Sequence, residues 1–222
     1  MDTSPQSKER PILFSAPMVR AILDGRKTVT RRPVKVQPHT DASGNFCVGR
    51  SNYGQDGYGK PVTKRFINDC CPYGKPGDRL WVRETWYCDH SEVLSGPYLK
   101  PDDLDISEAR DDGTLVYAAD GLAPYEQEQP TWKPSIHMPR WACRILLEII
   151  DVRVERLQDI TYEQAVTEGV HRGALREWCA SDEGGACHKY PIPAFRDLWQ
   201  STGGDWDANP WVWVVEFKRV KP

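Results

Sequence analysis

Apolar positions along the chain fall into short runs separated by long polar stretches, and each run carries one periodicity. Residues 11–15 (PILFS) read as a short strand. Behind Pro17, which suits a first helical turn, Met18, Val19, Ile22 and Leu23 form one stripe at helical spacing, and Gly25 is placed to stop it. The turn Pro76-Gly77-Asp78 launches residues 79–84, where Leu80 and Val82 share one face and Arg79, Trp81 and Arg83 the other, as in a half-buried strand. Residues 114–118 predict another strand. Residues 143–154 predict a long central one, because Ile149, Ile150, Val152 and Val154 are β-branched. Residues 161–168 predict a short helix, opened by a capping box of Thr161 and Gln164 and ended by Gly169. A last helix over 194–200 puts Phe195, Leu198 and Trp199 on one side, and residues 211–217 close the chain as a strand.

Between these runs lie three polar insertions, at about 37–77, 88–112 and 171–190, the first expected to hold at most a hairpin; residues 1–10 read as a disordered tail. The βα alternation of a parallel doubly wound sheet is missing. The pattern predicts a single α+β domain over 11–222, built as a mixed, mostly antiparallel β-barrel with flanking short helices and loop insertions.

Composition narrows the function. The chain has 222 residues, 39% hydrophobic and 27% charged, enough for a packed core in one domain. A formal net charge of -3 excludes binding of polyanions by overall charge, so any nucleic-acid contact rests on a local patch. Such a patch exists in Arg20, Arg26, Lys27, Arg31, Arg32 and Lys35. The seven cysteines are an odd number, and neither a secretory signal nor an apolar run of membrane-spanning length is apparent. These features lead us to expect a cytoplasmic protein with mostly free thiols and no membrane partner.

The densest chemistry is the block Gly25-Arg26-Lys27-Thr28-Val29-Thr30-Arg31-Arg32, which puts an amine and hydroxyls within one bend. With Pro76-Gly77-Asp78-Arg79-Leu80-Trp81-Val82-Arg83-Glu84, with residues 157–168, and with the closing strand ending Val215-Glu216-Phe217, the chain resembles the ASCH family of the PUA-like superfamily, in particular its larger phage and prophage members. The resemblance implies a PUA-like barrel with a cleft for RNA, a nucleotide or a modified base. In one branch, small bacterial amidohydrolases that remove the acyl group of N4-acetylcytidine, it implies a catalytic lysine, threonine and glutamate. The matching positions here are Lys27, Thr30 and Glu168. This chain is much longer than members of that branch.

The chemistry is coherent. Amide hydrolysis needs a nucleophile, a proton acceptor and a stabiliser of the oxyanion. Thr30 supplies the hydroxyl and Lys27 the base, provided that burial and the neighbouring Arg26, Arg31 and Arg32 lower the affinity of the amine for its proton. A direct contact with Glu168 would oppose that shift, so Glu168 is expected to orient substrate or relay a proton without a tight lysine salt bridge. On a regular strand Lys27 and Thr30 would face opposite sides, so the chain must turn after Gly25.

Around this triad, Ser15, Arg26, Thr28, Arg31 and Arg32, together with Trp81, Arg83, Glu84 and Trp141, are candidates for contacting substrate or nucleic acid. Cys179, Cys187 and His188, with His171 or Cys71, offer a weak zinc alternative, but no CxxC pair supports it, and neither metal nor cofactor is expected. The expected partner is a modified nucleoside or RNA, bound by a monomer. Two other readings stand beside hydrolysis: a non-catalytic module binding RNA, a nucleotide or a modified base, and a phage factor acting on a host protein through its insertions.

Overall fold

The structure, a computed structural model, describes residues 7–94, 96–121 and 131–221. Its strands are β1 (Glu9–Leu13), β2 (Val29–Pro33), β3 (Pro38–Thr40), β4 (Phe46–Val48), β5 (Ser51–Gly54), β6 (Arg79–Arg83), β7 (Trp86–Cys88), β8 (Leu115–Tyr117), β9 (Leu146–Arg156), β10 (His171–Arg172), β11 (Trp178–Cys179), β12 (Cys187–His188) and β13 (Trp211–Val220). Its α-helices are α1 (Ala16–Leu23), α2 (Lys64–Cys70), α3 (Ser91–Leu94), α4 (Ile106–Asp111), α5 (Tyr162–Thr167) and α6 (Pro191–Ser201).

The fold is mixed α+β. A five-stranded sheet of order β1-β6-β9-β13-β2 forms its centre; β1 runs parallel to β6 and every other neighbour is antiparallel. The long strand takes the middle place, as its β-branched sequence predicts, although it begins three residues later than expected and ends two later. Its ladder with β13 is interrupted by a register shift between Glu216 and Phe217, where Asp151 and Ile149 are the successive partners.

Alternation along β13 divides the core in two. Trp213, Val215 and Phe217 join Phe14, Ile22, Phe66, Leu80 and Val82 in one cluster, while Val212 and Val214 pack with Leu157, Phe195, Leu198 and Trp199 under α5 and α6. A third cluster gathers Trp81, Trp86, Tyr117 and Met138 around β7 and β8.

Among the described residues the five-stranded sheet remains open, with β1 and β2 at its edges. A side chain links the two edges: Arg32 Nη2 donates to the Leu13 carbonyl at 2.6 Å. The barrel expected from the sequence is therefore not closed by a backbone ladder.

The insertions hold more structure than their composition predicts. The stretch 37–77 contains the three-stranded sheet β3-β4-β5 and helix α2, because a few aromatics anchor it: Phe46 packs on Phe66, Tyr53 and Trp211. The stretch 88–112 contains α3 and α4. In 171–190, three two-residue strands form a small sheet. Residues 9–10 of the expected tail pair with Arg79 and Leu80, and residues 1–6 lie outside the described residues. Among the described residues no helix is long and apolar enough to cross a membrane.

Candidate functional site

The bend after α1 folds inward. Gly25 adopts φ +73° and donates its N–H to Ile22, the Lys27 N–H goes back to the Ala21 carbonyl, and the Thr28 N–H reaches the Thr167 carbonyl at the end of α5. The chain enters β2 only at Val29, so the turn that the sequence requires is present. Across from it, Gly169 adopts φ +94°, and a Cβ there would lie 2.9 Å from Lys27 Cβ and 3.0 Å from Ala21 Cβ. Only glycine combines that backbone with so close an approach.

Lys27 is 2% exposed. Its Nζ donates at 2.8 Å to each of three acceptors: the Val29 carbonyl, the Glu168 carbonyl and Glu168 Oε2. The other carboxylate oxygen of Glu168 accepts from Arg31 Nη1 at 3.0 Å. Arg31 in turn donates from Nη2 to Gln164 at 2.8 Å and to Glu155 at 3.3 Å, and its guanidinium lies 6.0 Å from the centre of the Phe195 ring. Gln164 Oε1 also accepts from the Thr161 N–H, so the capping box of α5 is wired into the charge cluster. Glu168 occupies the C-terminal cap of α5, where the helix dipole disfavours a carboxylate; Lys27 and Arg31 offset that cost.

The expectation that Glu168 avoids a tight contact with Lys27 is overturned. The two groups enclosed together need each other, because burying either charge unpaired costs more than the contact. Burial still lowers the affinity of Lys27 for its proton; Glu168 opposes this, while Arg32 and Arg31 add to it.

Thr30 stands on β2, 3% exposed, and no described group hydrogen-bonds its hydroxyl. With Lys27, Glu168, Met18, Phe195 and Trp199 it lines a cavity of about 20 Å³. That is room for about one water. The register with β13 adds a backbone group. Because the Phe217 N–H bonds the Thr28 carbonyl and the Val34 N–H bonds the Trp211 carbonyl, the N–H and C=O of Thr30 and Arg32 point into the ladder. Those of Val29 and Arg31 are left on the open edge, where Lys27 takes the Val29 carbonyl and Arg31 lines the cavity. Nothing in residue types marks that edge N–H; only strand register does.

The structure thus brings Lys27, Thr30, Glu168, Arg31 and Arg32 to one cavity. Burial lowers the proton affinity of Arg32, opposed by Tyr73 and Glu168. The remaining candidates lie elsewhere. Arg26 pairs with Asp24 and donates to the Gly169 carbonyl. Thr28 is exposed and held by its backbone, and Ser15 is an exposed N-cap residue of α1 whose side chain makes no capping bond. Trp81 is buried in the third cluster with the Arg83 guanidinium over its ring, and Trp141 packs edge-on against Trp86 and donates to the Tyr98 carbonyl. Both oxygens of Glu84 are taken by Nε and Nη2 of Arg144, so they are not left to read a base edge.

Most of the thiols are free, as expected, and one pair is not. Cys179 and Cys187 form a disulfide across the β11–β12 pair, which removes both as thiolate ligands, while Cys47, Cys70, Cys71, Cys88 and Cys143 are free. His188 bonds Asp197 instead.

No protein-family model, no curated protein and no solved structure matches this chain.

Proposed function

We propose that the chain is an ASCH-type amidohydrolase that removes the acyl group from an N4-acylated cytosine nucleoside or a related modified base. In this reading the five-stranded sheet is a PUA-like barrel whose β1–β2 seam is bridged by the Arg32 side chain. The observation that carries it is the meeting of Lys27, Thr30 and Glu168, two neighbours and a residue far along the chain, around one cavity in which the Thr30 hydroxyl is unengaged by any described group.

The Thr30 oxygen attacks the acyl carbon and its proton passes to the neutral amine of Lys27. The edge N–H of Arg31 faces the developing oxyanion. As the C–N4 bond breaks, the Lys27 ammonium returns the proton to N4, releasing cytidine. Water then attacks the Thr30 ester, Lys27 takes the water's proton and restores it to the threonine oxygen, and the carboxylic acid leaves.

Two features of the resting site set conditions on this cycle. All three donor directions of Lys27 Nζ are occupied, so one acceptor must yield for the amine to act as a base. Glu168 Oε2 is the one that can, because its carboxylate has Arg31 as an alternative partner. The cavity must also widen to admit a substituent, which places substrate entry before chemistry.

The direct test is incubation of purified protein with N4-acetylcytidine, with free cytidine followed by chromatography. Turnover that disappears in Thr30→Ala and in Lys27→Ala supports the reading; full activity in either variant refutes it. The saturated Lys27 and the narrow cavity favour one competing reading, a module that holds a modified base without chemistry. It predicts salt-sensitive binding that survives Thr30→Ala, with no turnover by the unmodified protein.

A further inference from the structure

A second and much larger hollow, about 670 Å³, opens where β2 runs out into the insertion 37–77. Its volume lies in the range of small-molecule sites, and such sites are mostly apolar with a few placed polar groups. Val34, Tyr53, Phe66, Tyr73 and Trp213 form walls, with Phe66 stacked on Trp213 at 4.9 Å and 18°, and Tyr53 edge-on to Phe66 at 5.3 Å. Flat aromatic walls favour a flat aromatic guest. Lys35 is the single cation on the lining; it is exposed and has no ion-pair partner among the described residues.

The hollow is continuous in chain position with the Thr30 site. Thr30, Arg32 and Val34 alternate onto the same face of β2. Thr30 lines the small cavity, Val34 lines the large one, and their Cα atoms lie roughly 13 Å apart at the rise of a strand. Arg32 stands between them, with its guanidinium 5.2 Å from the centre of the Phe14 ring and tethered to the Leu13 carbonyl. Its Nε is buried without a partner, a donor left for an incoming acceptor.

We propose that the large hollow seats the heteroaromatic ring of a 5′-phosphorylated nucleoside, with Lys35 on the phosphate and Arg32 as the gate through which the acylated edge reaches Thr30. The inference rests on the hydrolytic reading for its direction toward Thr30, but the seat itself stands on the aromatic walls and the unpaired lysine. The shared chemistry fits a free mononucleotide and a residue within RNA alike.

The test measures binding of N4-acetylcytidine, its 5′-monophosphate and a short RNA oligonucleotide carrying the same base. Cys70 lines the hollow and is exposed, so Cys70→Trp fills it from the rim. We expect Cys70→Trp to weaken binding of the monophosphate about tenfold or more, and Lys35→Ala to weaken the monophosphate about fivefold while leaving the nucleoside unchanged. In the unmodified protein, saturating monophosphate should slow alkylation of Cys70 by iodoacetamide, a readout that needs no variant to fold. Tighter binding of the oligonucleotide than of the monophosphate assigns the phosphate to RNA; equal affinity assigns it to the free nucleotide. Unchanged binding in Cys70→Trp and Lys35→Ala, with Cys70 unprotected, overturns the seat even if Thr30→Ala abolishes turnover. Loss of binding in Cys70→Trp while Thr30→Ala still hydrolyses overturns the hydrolytic reading and leaves the seat in place.

Discussion

Among the described residues the two most deeply buried carboxylates are Glu84, at 1% exposure, and Glu168, at 3%, and their surroundings differ in one respect that matters. Glu84 accepts from Nε and Nη2 of Arg144, each at 2.9 Å, Arg144 is held again by Asp120, and its guanidinium lies 4.0 Å from the centre of the Tyr117 ring. Burial pushes the Glu84 carboxyl up and Arg144 opposes it; burial also pushes the Tyr117 hydroxyl up to about 12. Every cation in that cluster is a guanidinium, which does not release its proton in a protein. Glu168 instead shares its charge between an arginine and a lysine, and burial brings the lysine toward the neutral form. The hollow lined by Arg144, Tyr117 and Asp120 is larger, about 130 Å³ against about 20 Å³, so space alone does not distinguish the two clusters. In the proposed reading the distinguishing feature is a proton that can move, on a lysine that lines the same cavity as a hydroxyl with no described partner.

The sharpest way to break this contrast is through turnover. Thr30→Ala should lower kcat/KM by about 10³-fold or more, whereas Glu84→Gln should leave it within about twofold; equal losses in steady-state assays would erase the distinction. Stability should invert the ranking. Glu84→Gln leaves Arg144 with a weaker partner in a buried place and should cost about 3 kcal/mol in urea unfolding. Gly169→Ala should cost about 2 kcal/mol, because the new Cβ meets Lys27 at an unfavourable backbone angle, and it should disturb turnover as well.

The finest test is the pH profile. Removing the acid that favours the charged amine, as in Glu168→Gln, should move the ascending limb of kcat/KM to lower pH. Arg31→Gln removes a repelling cation and returns Glu168 to Lys27, so it should move the limb to higher pH. Shifts in the same direction would contradict the assignment of Lys27 as base. Stability carries the same sign. The folded protein binds Lys27's proton more weakly than the unfolded chain, whose value is near 10.5, so this residue adds stability as pH rises through that window. Lys27→Met should flatten that slope in unfolding titrations.

Local signals were readable where one residue type has one physical use. The capping box of Thr161 and Gln164 and the glycine stops at 25 and 169 appear in the structure as the pattern predicts; Leu80 and Val82 do share one face of β6, but Trp81 is buried on the other, so the strand is covered on both sides and not half-buried. The insertion 37–77 was not readable, because its strands carry few apolar residues and owe their order to Phe46 and Phe66 packing on residues far along the chain. Among site candidates, aromatic and charged residue types alone misled: Trp81, Arg83, Glu84 and Trp141 have the right chemistry for a base, but the third cluster engages them.

The sequence by itself determined the order of the elements outside the insertions and the inward bend after Gly25, because those depend on dihedral preferences and side-chain periodicity over a few residues. Lys27, Thr30 and Glu168 were singled out by the resemblance and by no such local rule. Tertiary structure alone decided that Glu168 grips Lys27 directly, that Arg31 shares the load, that Cys179 joins Cys187 and that the Arg31 N–H lies on an open edge. Each of those follows from which strands and helices become neighbours, and burial then forces charges brought together from distant positions to satisfy one another.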